Sequence, residues 1–545
     1  MSIFGGLFNR RPDRAAGGQR AAARPQARYL RDTTSGVIQA RQPVLAESRD
    51  DIGRSWRRAA ALANDLIQNS GRLKGAVDQV LADTVGIELT LNPQPDLTGL
   101  GYDEAETTAF VRLIKQRWKR FAWNPAECDF RGKFTLPQLV DIGLRWHIAY
   151  GEVTGVLDYM PAAERRRYGI TTGSKLCLVP PPRLVQDTSE FEGLHQGVYH
   201  DENGRAVGYL LQDRDPGSFR KRRYPARDAD GRAAFMHIFD PVDATDVRGI
   251  SVLTSAIRKH IQHEMLDDAT LQTAILQTIF AAVLTSEQPS ADAFEALEAL
   301  KDADGGSKYV GEFVDYLSGS LERAADSRLT VGSDPQVSHL APGETFDIKT
   351  AGTPGNQYLP FSAALGRDMA RAIGITYGGL TMDHTSATYS SVRMENSSIW
   401  PVVMRRRERI AAPINQQVYE NWFDEEIGEG RIPFKGGYRA FAANRERVTW
   451  AQWQGPAKPS ADDLKSAKAA SERISNGTSA IQIEAADLGI DPDELFEMRR
   501  REHQRYVDAG MRSPFDRNHS ASDQADGGSG TSSGSGTDDQ PGAAA

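Results

Sequence analysis

"GLTMDHTSATYSSVRMENSS", Gly379–Ser398, holds eight Ser or Thr residues and one Tyr and little that is apolar. Patterned helical sequence flanks it on both sides. Upstream, Tyr358, Phe361, Leu365, Met369 and Ile373 recur at helical spacing and stop at Gly374, which predicts a helix over about 357–373. Downstream, Ile399, Val402, Val403, Ile410, Ile414, Val418, Trp422 and Phe423 form one stripe, which predicts a long helix over 393–424. Pro413 lies inside that stripe. It has no N–H to donate and its ring clashes with the preceding turn, so a kink is expected near 409–413. A polar segment between two long helices is either a catalytic loop or a surface that touches something without gripping it. The rest of the chain decides between them.

Working toward the N-terminus, the segment 285–349 is acidic, with thirteen Asp or Glu against five Lys or Arg. A short helix over 291–301 and a strand near Thr345–Lys349 are expected there. Before it, Leu253, Ile257, Ile261, Met265, Ile275 and Ile279 recur through 251–283 without Pro or Gly. That pattern predicts one helix of about 33 residues, about 50 Å long. Packing side by side against copies of itself is one reason for such length.

The first half reads as a mixed α+β unit. Ile52, Trp56, Ala60, Leu62, Leu66 and Ile67 mark helical sequence over 46–84, with a break expected at Gly71. "GIELTLNP" (Gly86–Pro93) alternates like a strand. Helices are expected over 103–121, through Phe110, Leu113, Ile114 and Trp118, and over 137–149. Strand patterning then runs from 152 to 240. In "GVYHDENGRAVGYLLQD" (Gly197–Asp213) the Asn203-Gly204 pair predicts a tight hairpin with both turn residues at positive φ. "AAFMHIFDP" is another expected strand. A smaller helical unit fits 460–505.

The 545 residues exceed one ordinary core, and 39% apolar and 25% charged content fit a globular chain of several units. No apolar run approaches a membrane span, so no membrane partner is expected. "MSIFGGLFNRR" is too short in apolar residues, with charge in the wrong order, for a signal peptide. Cys128 and Cys177 are too few for a thiolate zinc site and read as buried thiols rather than a disulfide. Residues 1–31 carry seven Arg and one Asp, and aperiodic sequence runs on to residue 45. Residues 1–27 are read as a disordered basic arm and 511–545, low in complexity, as a disordered tail. With a formal charge of −8 the chain suits DNA passing close by better than DNA held through many phosphates.

Tests for chemistry return little. No phosphate-cradling loop and no serine-hydrolase elbow is present. His260, His263, Glu264 and Asp267 share one helical face without a zincin order, and read as a polar face rather than a metal site. Asp383 and His384 are adjacent, which does not supply the orientation a triad needs. A metal- or hydroxyl-dependent hydrolase built on His260, His263 and Glu264, or on 383–391, is kept as the alternative. No cofactor is expected. Arg405, Arg406, Arg407 and Arg409 sit mid-helix, tempered by Glu408 and by Asp424–Glu426; Arg405, Arg406 and Arg409 are the candidate DNA-facing cations.

The ordered set of segments resembles the lambda-type family of phage portal proteins over about 28–510. "VRGISVL" (Val247–Leu253) looks like its Arg-Gly entry to a long helix, and "LAPGETFDI" (Leu340–Ile348) like its Pro-Gly-Glu strand. "AIGITYGGLTMDHTSATYSSVR" (Ala372–Arg393) resembles its Tyr-Ser-Ser-x-Arg segment, with Thr376 where the family often has Pro. "WQGP" (Trp453–Pro456) looks like the entry to its C-terminal helices.

The resemblance implies a non-enzymatic ring of about twelve subunits at one capsid vertex, assembled in the host cytoplasm, with a closed heterologous interface. It implies double-stranded DNA in the channel. The implied partners are the terminase large subunit, the major capsid or scaffold protein, and head–tail connector or adaptor proteins. It also implies a wing (28–245), first stem helix (246–284), clip (285–350), second stem helix (351–374), tunnel loop (375–392), kinked helix with wing return (393–455) and crown (456–510). The opening stretch becomes the tunnel loop. Asp383, His384, Thr385, Ser386, Thr388, Tyr389, Ser390, Ser391 and Arg393 are expected at or beside the channel, where hydroxyls contact phosphates weakly in any register.

Overall fold

In the computed structural model the described residues are 40, 45–213, 220–278, 283–286, 344–347, 355, 357–385, 387–459 and 463–515. The basic arm, most of the acidic segment with its expected helix over 291–301, and the C-terminal tail from residue 516 on lie outside them.

The chain opens with two helices, α1 (Ser48–Asn69) and α2 (Gly71–Thr84). The break falls at Ser70 rather than at Gly71: Ser70 is extended, and its hydroxyl accepts from Leu73 N to start α2. Next come β1 (Thr90–Pro93), α3 (Glu104–Ala122) and α4 (Leu136–Tyr150). Both helices start on capping boxes, Asp103 with Glu106 and Thr135 with Gln138.

The sheets are small and antiparallel. β2 (Glu152–Tyr159) lies between β3 (Ser174–Leu178) and β8 (Phe235–Phe239). A second sheet takes the order β4 (Leu194–His195), β5 (Val198–His200), β6 (Ala206–Gln212), β7 (Lys221–Pro225). The expected tight turn at Asn203-Gly204 is longer. Only Gly204 has positive φ (+78°), while the Asp201 carboxylate accepts from Asn203 N and Arg205 N and the register shifts at Tyr199/His200. The sequence "DADGR" at 228–232 repeats the device, with Asp228 accepting from Asp230 N and Arg232 N and Gly231 at +81°.

α5 spans Ile257–Thr278, so the single helix expected over 251–283 is shorter at both ends. Ser251 and Thr254 sit in turns where Ser251 Oγ donates to Ile148 O, and Val283–Ser286 is strand β9. β9 pairs in antiparallel register with β10 (Glu344–Asp347), Val283 opposite Asp347. α6 (Tyr358–Ile373) ends as expected at Gly374, in the left-handed conformation at φ +82°. α5 and α6 run antiparallel: Lys259 pairs with Asp368, His263 with Ser362 and Tyr358 with Asp267.

The polar stretch is not one loop. It holds a short helix, α7 (Tyr377–Thr381), and α8 begins at Tyr389 and runs to Arg406, starting earlier than expected. Where a kink is expected, a π-helical turn spans Arg407–Ala411 and runs straight on into α9 (Ala412–Gly428), so that Pro413, with no N–H to give, follows directly on the widened turn. β11 (Ala451–Gln454) returns to pair with β1, Leu91 opposite Trp453. The end is helical: α10 (Asp463–Ser475), α11 (Ile481–Asp487) and α12 (Pro492–Asp508).

One core joins distant parts of the chain. Ile114, Trp118, Leu144, Ile148 and Val153 from the first half pack with Ile373, Ile410, Ile414, Trp422 and Phe423 from the second. Trp118 meets the rings of Tyr419, Trp422 and Trp453 at 5.2–5.5 Å between centroids. Gly143 lets α4 approach α9, since a Cβ there would sit 2.8 Å from Ile414 Cδ1. Cys128 and Cys177 are free thiols, the first buried and the second half-buried, and burial pushes the Cys128 thiol up to about 12.

Candidate functional site

The hydroxyls between α6 and α8 do structural duty first. Thr376 Oγ1 accepts from Gly379 N at 3.0 Å and caps α7, so the threonine where the resemblance leads one to expect proline has a local reason. Leu380 is buried and anchors α7, while Met382 takes positive φ (+55°) to end it. Asp383 accepts from Thr385 N (3.0 Å) and Oγ1 (2.7 Å), and these bonds hold its carboxyl below the usual range. Thr388 caps α8: its Oγ1 accepts from Ser391 N at 3.2 Å, and Ser391 Oγ accepts from Thr388 N at 2.9 Å.

The candidate residues therefore separate. Asp383, His384 and Thr385 lie in the turn between the helices. Thr388 is a helix cap. Tyr389, Ser390, Ser391 and Arg393 occupy the first turns of α8, all largely exposed, with Tyr389 against the Lys465 ammonium at 4.8 Å. Ser386 lies outside the described residues. Arg393 makes no ion pair among them. The turn and α8 enclose an open cleft of about 430 Å³, lined in part by Tyr377, His384, Ser391, Glu395 and Trp400 and floored by Asp83 of α2.

The three arginines expected to face DNA separate in the structure. Arg406 is buried, donates to Ile373 O at 2.6 Å, and burial pulls its pKa down to about 10. It ties the base of α8 to the end of α6 and is closed to a phosphate within this chain. Arg405 and Arg409 are half exposed, and both grip Asp240, at 2.8 and 3.0 Å. Arg407 latches onto Thr84 O, Asp83 O and Pro456 O. Asp424, Glu425 and Glu426, expected to temper this run, instead bind Arg445, Arg165 and Arg431.

The hydrolase alternative finds no catalytic arrangement. His260 lies against Ser70 Oγ and Glu264; His263 lies against Arg72 (2.8 Å) and Ser362 Oγ (2.7 Å). Burial lowers the pKa of both. The Arg72 guanidinium, paired with Asp267 at 3.0 Å, occupies the face where a cation would have to bind. Among the described residues no group of three or more His, Cys, Asp or Glu is placed to hold a metal. Asp383 accepts from its own turn and orients no histidine toward a serine.

A buried ion pair was missed by sequence reasoning. Arg248, in the Arg-Gly segment before α5, is bonded through Nε to both Glu152 oxygens (2.9 and 2.7 Å), with its guanidinium 4.7 Å from the Trp56 ring. It also donates to Gln196 O at 3.1 Å, and His237 bonds Glu152 at 3.0 Å. Arg248 holds the fully buried Glu152 carboxyl down at about 2 against the desolvation that would raise it. Gly249 follows because a Cβ there would collide with Gly151 O. The only signal was "VRGISVL" itself; Glu152 is 96 residues away.

A family model described as "Phage portal protein, lambda family" matches residues 35–407. Portal protein B of Escherichia phage lambda is 26% identical over 471 residues, covering 84% of this chain and 86% of its own. The portal protein of Escherichia phage N15 is 26% identical over 475 residues, with the same coverages. Among solved structures, a chain from "Neck of empty GTA particle computed with C6 symmetry" aligns over 83% of this chain and 96% of its own, at 13% identity and TM-score 0.39. A chain from the virion of the native gene transfer agent aligns over 77% and 99%, at 14% identity and TM-score 0.34.

Proposed function

Since the chain belongs to the lambda family of phage portal proteins, we propose that about twelve copies close into a ring at one capsid vertex, with double-stranded DNA passing through the centre. The observation that carries the ring is the outer half of the helix pair α5/α6. At its base Leu253, Ile257, Met369 and Ile373 are buried, whereas farther out Met265, Leu271, Leu359 and Phe361 are 65, 60, 72 and 57% exposed. Large apolar side chains left open on two helices suit burial against the next copy.

In this reading α5 and α6 are the stem, the β9–β10 ribbon belongs to the clip, and the shared core of 48–240 and 375–455 is the wing. The helices α10–α12 are the crown. The turn at 382–388, with the first turns of α8, is the tunnel loop. Its exposed hydroxyls and the free Arg393 contact a passing polyanion weakly, since each tightly paired phosphate would add sticking through counterion release. Terminase large subunit, capsid or scaffold protein and connector proteins dock on the ring's outer faces. The ring conducts; it carries out no reaction.

Negative-stain images of the purified protein test the ring: closed particles are expected, and monomers under every assembly condition overturn it. Deleting 384–391 should leave rings intact while packaging or DNA retention falls. Loss of the rings themselves would make the stretch an assembly element instead.

A further inference from the structure

"RKRRYPAR", residues 220–227, places five cations and no carboxylate in eight positions. Its core is β7, the end strand of the four-stranded sheet. Asp213 N donates to Arg220 O and Ala226 N to Val207 O, so residues 220, 222, 224 and 226 turn their backbone groups inward to β6. Antiparallel alternation then leaves the N–H groups of Lys221 and Arg223 on the outer edge, and no described strand pairs with them.

The side chains are held in place. Arg223 lies opposite Leu210 and stacks over the Tyr199 ring at 4.3 Å. It reaches that ring across Gly208, where a Cβ would stand 3.0 Å from Arg223 Nε. Arg222 lies 5.0 Å from the Tyr224 ring on the other face. Lys221 is paired with Asp187, but Arg222 and Arg223 have no carboxylate within ion-pair distance among the described residues. Two pre-set guanidinium groups, one on each face, thus flank the outward N–H groups of Lys221 and Arg223.

We propose that β7 is a docking edge for an acidic, extended polypeptide segment of a partner protein, which adds as a further strand. Backbone pairing at Lys221 and Arg223 sets its path, and adjacent carboxylates, one on each face of the added strand, meet Arg222 and Arg223. An extended polypeptide fits better than nucleic acid because phosphodiester oxygens can accept from the edge N–H groups but bring no donor at strand spacing for the edge carbonyls. This edge shares no residue with the helix pair or the hydroxyl stretch, so the proposal does not rest on the ring and channel reading.

The test uses the full-length protein and a fluorescent peptide in which Val residues flank adjacent Glu residues, so that carboxylates stand on both faces of the strand, followed by anisotropy. Its comparators are the same peptide N-methylated at every second residue and a short DNA duplex. Saturable peptide binding is expected, falling at least about tenfold on N-methylation and about tenfold or more in the Arg222→Glu/Arg223→Glu variant. Should that variant fold poorly, Arg223→Ala, which removes one guanidinium together with its Tyr199 stack, is expected to weaken binding severalfold. Three results would overturn the proposal. Equal binding of the methylated peptide would reduce the patch to unspecific charge. Tighter binding of the duplex, with the same sensitivity to substitution, would assign it to nucleic acid. No binding at all would make the cations a guard against edge-to-edge aggregation.

Discussion

The packed body around α9 and the outer half of the α5/α6 pair use the same sequence device to opposite ends. Both carry apolar stripes at helical spacing. In the body, Ile414, Val418, Trp422 and Phe423 are buried against α3 and α4, and the neighbouring carboxylates Asp424–Glu426 are buried with arginine partners. In the pair, the stripe that begins with buried Leu253 and Ile257 runs out into exposed Met265 and Ile275. A stripe reports that a face will be covered; it does not report by which chain. The first region completes itself, and the second is left waiting for a neighbour.

Breaking the body should cost most. Gly249→Ala drives a Cβ into the Gly151 carbonyl at the entry to α5, and backbone must shift. A loss of about 4 kcal/mol or more is expected, read by urea denaturation. Arg248→Met strands a fully buried carboxylate and should cost about 3–5 kcal/mol, partly recovered by adding Glu152→Gln.

The same pair fixes a pH signature. Glu152 is held at about 2 against an ordinary 4.5, so the unfolded chain takes up the proton first. The stabilisation is whole above pH 4.5 and fades as pH falls toward 2. In Arg248→Met, desolvation pushes the Glu152 carboxyl up instead, so this acid limb should be lost and the variant's deficit should shrink as pH falls, read from the urea midpoint against pH.

The pair is tested by the reverse pattern. Leu359→Ser with Phe361→Ser should leave the monomer's denaturation midpoint within about 0.5 kcal/mol, because both side chains are already exposed, yet abolish closed rings in negative stain. A destabilised monomer would show that the pair is complete in itself.

The smallest effects belong to the polar stretch and the arginine run. Thr388→Ala should cost about 1 kcal/mol of local stability, visible as faster amide exchange at Tyr389–Val392 without a global shift. Arg405→Ala with Arg409→Ala should change folding by no more than about 1 kcal/mol, since both ion pairs to Asp240 are half solvated.

Much of the fold was legible because helices are local. The helices at 104–122, 136–150 and 358–373 and the stop at Gly374 follow from periodicity and capping chemistry within a few residues. What failed to read correctly depended on contacts across the chain. The long stripe over 251–283 broke into turn, helix and strand because Ser251 bonds back to Ile148 and Val283–Ser286 finds β10. Asn203 lost its positive φ because Asp201, two residues earlier, already organised the turn. In the opening stretch, the composition marked it as unusual but not which hydroxyls were engaged; Thr376, Thr388 and Ser391 proved to be capping groups.

By itself the sequence determined the helix register, the polar interval between two helices and the order of segments that carries the family. Those depend on side-chain period and on short-range capping, which a single chain segment contains in full. Only the tertiary structure decided which charges are free. Arg406 and Arg248 look no different in sequence from Arg405 and Arg223. Yet two are buried against partners 33 and 96 residues away, one is tied at the surface to Asp240, and one stands stacked and unpaired on an open edge. Burial and ion pairing depend on what folding brings across the chain, and spacing along it does not encode that distance.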